Sequence, residues 1–522
     1  MVGSSNLDPA SDWYNKYGYI PSDLTPESIS RTLEFCYDDW CIYKMAESLG
    51  NKAIADEYHQ RALRYRNILD SSTGFFRGRD SQGNWRSPFD PNRSSRDYTE
   101  ATAWQYRHYV PHDMGGFTGL LGGKENVIST LDSLFNYTYV HPEMENDGNV
   151  TGLMGQYAHG NEPSHGSAWL YAAMGKPSET QYWVRKILNE QYYNNIEGMS
   201  GNEDCGQMSA WYIMASMGLY PLCPGTGEFI FAAPLFKKTT VTLGNGAKLV
   251  ITADHPEHAY IKDVRWNGKT VDAQFITYEQ LMQGGELSFS LCKKPYHGRD
   301  NLRRPYSLCE ENIVSMPYIK GNPSFFDTSF TAELSCHTPD VVIRYTMDGS
   351  EPDENSILYE GPVKIEGACT IKAKSILPNM KTRVFSKTFG SHKAMAKNAE
   401  VTSAAHHNYN AGLPHSLTDG IRGTFNYKST DWAGWYTGPF EAVIDMAGET
   451  YSTVTLGTVS VKYDWIFCPE SIVISTSDDG KTFTEVAKAV YGPEKEDALN
   501  ELKEYTLSFP ETSARYLKVW AE

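Results

Sequence analysis

The 522-residue sequence lacks several features that mark common classes of protein. It has no apolar run near the ~18–20 residues that a membrane-spanning helix needs. Its nine cysteines form no Cys-x-x-Cys pair, so their spacing indicates neither a zinc ribbon nor a disulfide framework, and their odd number leaves at least one thiol free. Basic charge is also scarce. The formal net charge of −17 argues against nucleic acid and against anionic membrane surfaces as partners.

Aromatic residues are plentiful by contrast, with 12 Trp and 34 Tyr. Proteins that handle carbohydrates use aromatic faces to stack on sugars, although large domains with aromatic cores explain the same composition. The length suggests about three or four domains. The opening, MVGSSNLDPASDWYNKYGYIP, is typical of the interior of a longer protein.

The first 222 residues are predicted to be helical. Thr25-Pro26-Glu27 offers an N-cap, a first-turn proline and an early acid, and an apolar stripe follows at helical spacing. The residues of this stripe are Ile29, Leu33, Cys36 and Trp40.

After residue 222 the hydrophobic period changes to that of strands. Asn245-Gly246 and Asn267-Gly268 are strong hairpin signals between alternating segments. We predict a β-rich end of the first region over 223–305, a small immunoglobulin-like β-sandwich over 306–392 and a further β-sandwich over 393–522.

Three stretches of the helical region combine acids, amides and aromatics at loop–helix junctions. In the first, YTEATAWQYRHYVPHD, Glu100 precedes Trp104 and Gln105. A carboxyl among bulky rings suits a general acid. A helix N-terminal acid favoured by the dipole fits the same pattern.

The second stretch, HGNEPSHGSAWLY, places Asn161, Glu162 and His165 around one turn. Oxygen ligands grouped in this way suit a hard cation such as calcium. A capping cluster around Pro163 is the alternative interpretation.

The third stretch, GNEDCGQMSAWY, sets two acids between glycines before an apolar helix. Asn202 can cap this helix, and Glu203 and Asp204 are expected in its first turn. The flanking Gly201 and Gly206 are expected to let a ligand approach the backbone. Two carboxyls on separate loops are what glycoside hydrolysis requires.

These stretches, together with ESISRTLEFCYDDW, WRSPFDP, TQYWVRKIL and ITYEQLMQGGELSF, resemble glycoside hydrolase family 92, the calcium-dependent exo-acting α-mannosidases. The matching blocks run in order over about residues 13–295. The resemblance implies an (α/α)6-barrel catalytic region, with its N-terminal part expected to be missing here, followed by β-sandwich modules. It also implies inverting release of terminal mannose from glycans, with α-1,2 as the expected linkage.

The resemblance also implies roles for individual residues. Glu100 matches the general acid and Asp204 the general base, while Asn202 stands where some members have a second acid. Glu162 matches the calcium region, so Ca²⁺ is the expected cofactor. The expected substrate-binding residues are Trp104, Gln105, Asn161, His165, Asn202 and Glu203.

The C-terminal part resembles two accessory modules. Residues 306–392 resemble the small sandwich that follows chitobiase-type catalytic domains, and residues 393–522 resemble a truncated discoidin (coagulation factor 5/8 type) domain. Such modules often bind carbohydrate, and Trp432, Trp435 and Tyr436 are the candidate contacts.

Two other functions stay open from the sequence. The chain could be a carbohydrate-binding fragment without catalysis, or a hydrolase of mannose-1-phosphate linkages. The family resemblance implies an extracellular, periplasmic or cell-surface location, with mannose-containing glycans as partners.

Overall fold

The computed structural model describes the chain except for residues 88, 142–149, 310–313, 321–329, 378–383, 390–391, 396, 411, 420–422, 424–426, 428–430, 437, 462–464 and 494–500. In the described residues the α-helices are α1 (Ser11–Tyr17), α2 (Ser28–Ser48), α3 (Lys52–Ala62), α4 (Ala103–Tyr106), α5 (Met114–Leu120), α6 (Lys124–Asn136), α7 (Leu170–Ala173), α8 (Pro177–Glu190), α9 (Gln207–Ser216) and α10 (Tyr278–Met282). None of these helices is long and apolar enough to cross a membrane.

The strands alternate with helices at first and then dominate. They are β1 (Leu69–Asp70), β2 (Phe75–Phe76), β3 (Leu153–Met154), β4 (Tyr157–Ala158), β5 (Leu219–Tyr220), β6 (Glu228–Phe231), β7 (Lys238–Thr242), β8 (Lys248–Ala253), β9 (Tyr260–Trp266), β10 (Lys269–Thr270), β11 (Phe275–Thr277), β12 (Gly285–Cys292), β13 (Tyr318–Ile319), β14 (Phe330–Ala332), β15 (Leu334–Ser335), β16 (Val342–Thr346), β17 (Ile357–Leu358), β18 (Val363–Ile365), β19 (Cys369–Ile376), β20 (Val384–Phe389), β21 (Ala399–Val401), β22 (Phe440–Asp445), β23 (Tyr451–Ser460), β24 (Ser471–Ser477), β25 (Thr484–Val490), β26 (Glu501–Thr512) and β27 (Tyr516–Ala521).

The apolar stripe predicted for α2 is confirmed, since Ile29, Leu33, Cys36 and Trp40 are all buried. The predicted helix start is wrong. The helix begins at Ser28, and the preceding residue has a left-handed backbone and no side-chain cap. Asp97, from a distant loop, accepts the hydrogen bonds of this helix terminus instead. Its backbone carbonyl accepts from the amide of Ile29 at 2.9 Å, and its carboxylate accepts from the Ser28 hydroxyl at 3.1 Å.

One large aromatic core holds the helical region together. It extends from α1 to β6, and Trp169 and Trp211 lie at its centre with almost no exposed surface. Their ring centroids are 6.2 Å apart at 65°, and Trp169 also stacks on Tyr220 at 5.0 Å. This packing joins α9 and β5 to the loops that precede α7.

The hairpins predicted beyond residue 222 are confirmed. Strands β7 and β8 pair antiparallel around Asn245-Gly246, and β9 pairs with β10 around Asn267-Gly268. These strands belong to a five-stranded sheet in the order β10-β9-β12-β8-β7, in which only the β12–β8 pair is parallel. A three-stranded sheet has the order β11-β6-β5, with β5 and β6 preceding the five-stranded sheet in the chain and β11 falling between β10 and β12.

The C-terminal half is built of antiparallel sheets, as predicted. Strands β17-β16-β19-β20 form one sheet, and β21-β22-β27-β24-β25 form another that is accompanied by the long β23–β26 pair. Each set has its own buried apolar cluster, around Ile371 in the first and around Ile472 in the second. The domain boundaries given above stay predictions.

Candidate active site

A cavity of about 540 Å³ opens among the loops of the helical region. Glu100 reaches it from the turn before α4, Glu162 from the turn after β4, and Asp204 from the loop before α9. The structure therefore brings together the predicted acid, the predicted base and the predicted calcium ligand. Asn161 and His165 line the same cavity.

Both predicted catalytic carboxylates stand on left-handed backbone. The φ angle is 49° at Glu100 and 45° at Asp204, and Cys205 and Gly206 continue the left-handed run at 58° and 87°. Such conformations cost about 1–2 kcal/mol for residues with a Cβ and persist where the surrounding structure enforces them. Strain of this kind clusters at functional sites, and here it falls on both members of the predicted pair.

Two glycines bring the loops of Glu162 and Asp204 into contact. A Cβ on Gly201, whose φ is +76°, would lie 2.8 Å from the Cα of Gly160, and a Cβ on Gly160 would lie 2.0 Å from the Thr151 hydroxyl. The prediction that Gly201 opens the backbone to a ligand is therefore wrong, because its space is taken by another loop. Gly206 has no atom within 4 Å of the position that a Cβ would take, and it supplies the left-handed N-cap of α9; for this glycine ligand access stays a prediction.

Hydrogen bonds fix the orientation of the polar groups between the loops. The Asn161 amide donates to the Glu100 carbonyl at 2.7 Å. The His165 Nε2 donates to the His159 carbonyl at 2.8 Å, while its Nδ1 accepts from Gln207 at 3.2 Å. Burial lowers the pKa of His165 to about 4. This imidazole is thus neutral near pH 7 and acts through hydrogen bonds rather than charge.

Trp104 and Gln105, predicted to bind substrate, do not line the cavity. Both are buried, and the Trp104 indole donates to the Asn92 side chain at 3.0 Å. The Gln105 amide completes a capping box with Thr102 and donates to the Gln156 carbonyl at 2.7 Å. Gln105 therefore fixes the turn that follows Glu100, and Trp104 ties this turn to the loop of Asn92.

Asn202 and Glu203 are exposed and also lie outside the cavity lining. The prediction that the two acids fall in the first turn of α9 is wrong, because the helix begins at Gln207. The Glu203 carboxylate still serves this helix. It accepts from the Ser209 amide at 2.9 Å and from the Ser209 hydroxyl at 2.7 Å, and these bonds lower its pKa.

Glu34, on α2, is a further carboxyl of the cavity that sequence reasoning missed. Burial raises its pKa to about 7, and the Tyr109 hydroxyl donates to it at 3.1 Å. The available signal was an acid set between Leu33 and Phe35 and one helical turn from Ser30. The raised pKa of Glu34 depends on burial, which follows from the packing of α2 and not from the local sequence.

The oxygen donors that line the cavity near Glu162 are of the chemical kind that a hard cation takes. The carboxylates of Glu162 and Asp204 line the same cavity as Asn161, whose side-chain oxygen accepts no hydrogen bond in the described part of the chain. Carboxylate and amide oxygens are the ligands that calcium takes in proteins.

The predicted sugar contacts of the C-terminal module fall into two places. Trp432 and Trp435 line a second cavity of about 310 Å³, whereas the Tyr436 side chain is 85% exposed. Trp465 is a further exposed ring of this module that the sequence did not single out; it is 84% exposed on left-handed backbone with φ of 59°. The spacing of residues in the sequence does not reveal that this ring is exposed to solvent.

Comparisons with known proteins agree with this architecture. The model of the glycosyl hydrolase family 92 catalytic domain matches residues 4–293, and that of the Fn3 associated family matches residues 332–389. The first match covers the helical region and the five-stranded sheet that follows it. The chain belongs to glycosyl hydrolase family 92. The second match is consistent with the small β-sandwich predicted there.

Individual relatives support the same family. A family GH92 α-mannosidase of Bacteroides thetaiotaomicron, solved with mannoimidazole, is 36% identical with a TM-score of 0.56, over 59% of this chain and 42% of its own. A family GH92 inverting mannosidase of the same organism is 37% identical with a TM-score of 0.52, over 57% and 42%.

A protein of Arthroderma benhamiae named as an uncharacterized secreted glycosidase is 28% identical over 55% of this chain and 38% of its own. The chain thus spans less than half the length of these relatives. The mixed helical and β fold class is confirmed, and the discoidin resemblance stays a prediction.

Proposed function

We propose that the chain carries the active site of an exo-acting, inverting α-mannosidase that removes terminal mannose from glycans, with α-1,2 as the preferred linkage. The observation that carries the proposal is the convergence of Glu100 and Asp204 on one cavity, each on strained left-handed backbone. The cavity volume lies within the range of small-molecule sites.

Glu100 is assigned as the general acid that protonates the leaving oxygen. Asp204 is assigned as the general base that activates water on the opposite face of the sugar. Asn161 holds the turn of Glu100 through its carbonyl, and neutral His165 ties the turn of Glu162 to α9. These two residues position the carboxylates rather than exchange protons.

Calcium is proposed as the cofactor, held by Glu162 with the side-chain oxygen of Asn161. When bound, it would supply a Lewis acid that grips sugar hydroxyls. The proposed location is outside the cell, in the periplasm or on the cell surface. It is supported by the fungal relative, whose name calls it secreted.

The charge of the cavity favours a neutral glycan over a mannose-1-phosphate linkage. Its described lining includes four carboxyl groups, those of Glu34, Glu100, Glu162 and Asp204, and no Lys or Arg is among the described lining residues. A phosphate leaving group would need cationic side chains there besides the calcium ion, because the acidic groups repel it.

The proposal is tested by replacing Asp204 with Asn. We expect kcat for mannose release from α-1,2-, α-1,3- and α-1,6-linked mannobioses to fall about 10²–10⁴-fold. The asparagine side chain has nearly the shape of aspartate but cannot accept the proton of the attacking water. Binding of mannose should persist in calorimetry. Chelation should abolish release reversibly.

The matched control is Glu203→Gln, which changes the neighbouring acid but keeps an acceptor for Ser209. Undiminished release by Asp204→Asn, or an equal loss in both variants, would refute the role of Asp204. Activity in excess chelator would refute the calcium assignment.

A carbohydrate-binding role for the C-terminal module is a separate proposal, supported by the cavity that Trp432 and Trp435 line. Retardation of the protein in gels that contain mannan should weaken in Trp435→Ala and Tyr436→Ala. Unchanged mobility of both variants would exclude these contacts.

A further inference from the structure

The connection between β8 and β9 gathers two imidazoles and a carboxylate within four residues. His255 Nδ1 lies 3.1 Å from the Glu257 Oε1, and His258 Nε2 lies 3.9 Å from the same oxygen. One ligand atom from each of the three side chains lies within 4.8 Å of the others, and no other such triad occurs in the described part of the chain. None of the three lines the catalytic cavity.

This connection is held in place from two sides. Asp254 accepts from the Leu291 amide and from the Ser290 hydroxyl, each at 2.8 Å, and so joins the connection to β12. The Arg185 guanidinium, on α8, donates to the carbonyl of Pro256 at 2.8 Å and to that of His258 at 3.2 Å. The backbone that carries the triad is therefore preorganised.

The side chains keep the freedom that a ligand set needs. The rings of His255 and His258 face each other at 5.1 Å and 29°, and the side chains of His255 and Glu257 are mostly exposed. The His258 Nε2 makes no close hydrogen bond within the described residues, and its Nδ1 is buried without a partner there. The ring is thus not committed to a competing contact.

The spacing matches a tetrahedral metal. Zinc binds imidazole and carboxylate at about 2.0–2.2 Å, which places neighbouring ligand atoms about 3.3 Å apart. The separations of the Glu257 Oε1 from the two ring nitrogens, 3.1 and 3.9 Å, lie on either side of this value, and all three ligand atoms lie within 4.8 Å of one another. Rotations of the side chains would complete the set. Imidazole nitrogen selects zinc and its neighbours in the first transition series over calcium, which takes oxygen.

We propose that His255, Glu257 and His258 form a zinc site, with water as the fourth ligand, that clamps the β8–β9 connection. The ion would link the two histidines across the turn and strengthen a junction that already joins the five-stranded sheet to α8. This site is distinct from the calcium position proposed at Glu162, in place and in donor chemistry.

The test is zinc binding by the whole chain after removal of metals. Equilibrium dialysis against zinc chloride should show one more equivalent of zinc in the wild type than in His255→Ala/His258→Ala. Glu257→Gln should weaken this binding by at least tenfold, since even outer-shell partners contribute about 10–100-fold. Calcium in millimolar excess should leave the zinc bound.

His297→Ala is the matched control, because His297 is exposed and pairs with a single carboxylate, Asp300, at 3.1 Å. It should bind zinc as the wild type does. X-ray absorption should show nitrogen and oxygen near 2.0–2.1 Å. Equal zinc content in the wild type and the double variant would overturn the site. A sulfur shell near 2.3 Å around the extra equivalent would also overturn the site, because it would show that some of the nine free cysteines hold the zinc.

Discussion

At the scale of single residues, the cavity combines carboxyls held in different environments. Asp204 and Glu100 are exposed, whereas Glu34, on α2, is mostly buried although it lines the same cavity. Burial disfavours the charged form of Glu34, and the hydrogen bond from Tyr109 compensates only in part. A neutral Glu34 reduces the negative charge that the cavity holds at pH 6.

Glu34 also makes stability depend on pH. Its folded pKa of about 7 exceeds the usual value of 4.5, so its stabilising proton is fully bound below pH 4.5 and is lost as pH rises through 7. We expect Glu34→Gln to gain stability relative to the wild type over this range, by at most about 3 kcal/mol. The measurement is the unfolding midpoint of both proteins at pH 5 and pH 8.

Glu190→Gln, at the exposed end of α8, is the control for removing a glutamate charge. Its difference from the wild type should not change with pH in this way. A constant difference between Glu34→Gln and the wild type from pH 5 to pH 8 would contradict the assignment.

At the scale of elements, the site depends on how closely two loops approach. Gly160 and Gly201 meet where the loop after β4 crosses the loop before α9. The contact sets the separation between the turn of Glu162 and that of Asp204. Glycine is required there both for the positive φ of residue 201 and for the space that a side chain would fill.

Gly201→Ala should therefore lower both stability and turnover. The backbone strain costs about 1–2 kcal/mol, and the displaced loop costs about 1–3 kcal/mol more. A displacement of about 1 Å at the base can reduce kcat/KM about 10²-fold. Thermal unfolding and mannose release measure the two effects.

Gly198→Ala is a matched control in the same region. Its φ of +74° nearly equals the +76° of Gly201, but no atom lies within 4 Å of the position that its Cβ would take. Gly198→Ala should therefore lose only the stability that the backbone strain costs, and its turnover should be unchanged. Equal losses in the two variants would mean that the contact with Gly160 has no part in the site.

At the scale of the whole molecule, the helical region and the small sandwich touch through a tight contact. A Cβ on Gly122, whose φ is +80°, would lie 2.3 Å from the His337 carbonyl oxygen. The His337 ring donates to the Ser71 carbonyl at 2.7 Å. Lys387 lies near Arg77 and Asp70 at the same junction, and burial lowers its pKa.

We expect Gly122→Ala to separate the unfolding of these two regions in differential scanning calorimetry, because the new methyl group meets rigid backbone. Gly123→Ala provides the comparison, since its Cβ would meet no atom within 4 Å although its φ is +117°. Identical calorimetric profiles of the two variants would show that the contact does not couple the regions.

The sequence by itself determined the features that arise from near neighbours. The apolar stripe of α2 and the Asn-Gly turns follow from side chains a few residues apart, and ordered blocks sufficed to indicate the family. The same blocks singled out Glu100, Glu162 and Asp204, which share one cavity in the fold. Local chemistry and motif order carry this information because neither depends on distant parts of the chain.

Only the tertiary structure decided what distant segments do to each other. In the structure Trp104 and Gln105 lie outside the cavity lining, α9 begins after both acids, and Glu34 lines the cavity. Gly201 contacts the loop of Gly160, which leaves no space there for a ligand. Each outcome depends on which surfaces are buried together, and burial is a property of the packed chain rather than of any spacing within it.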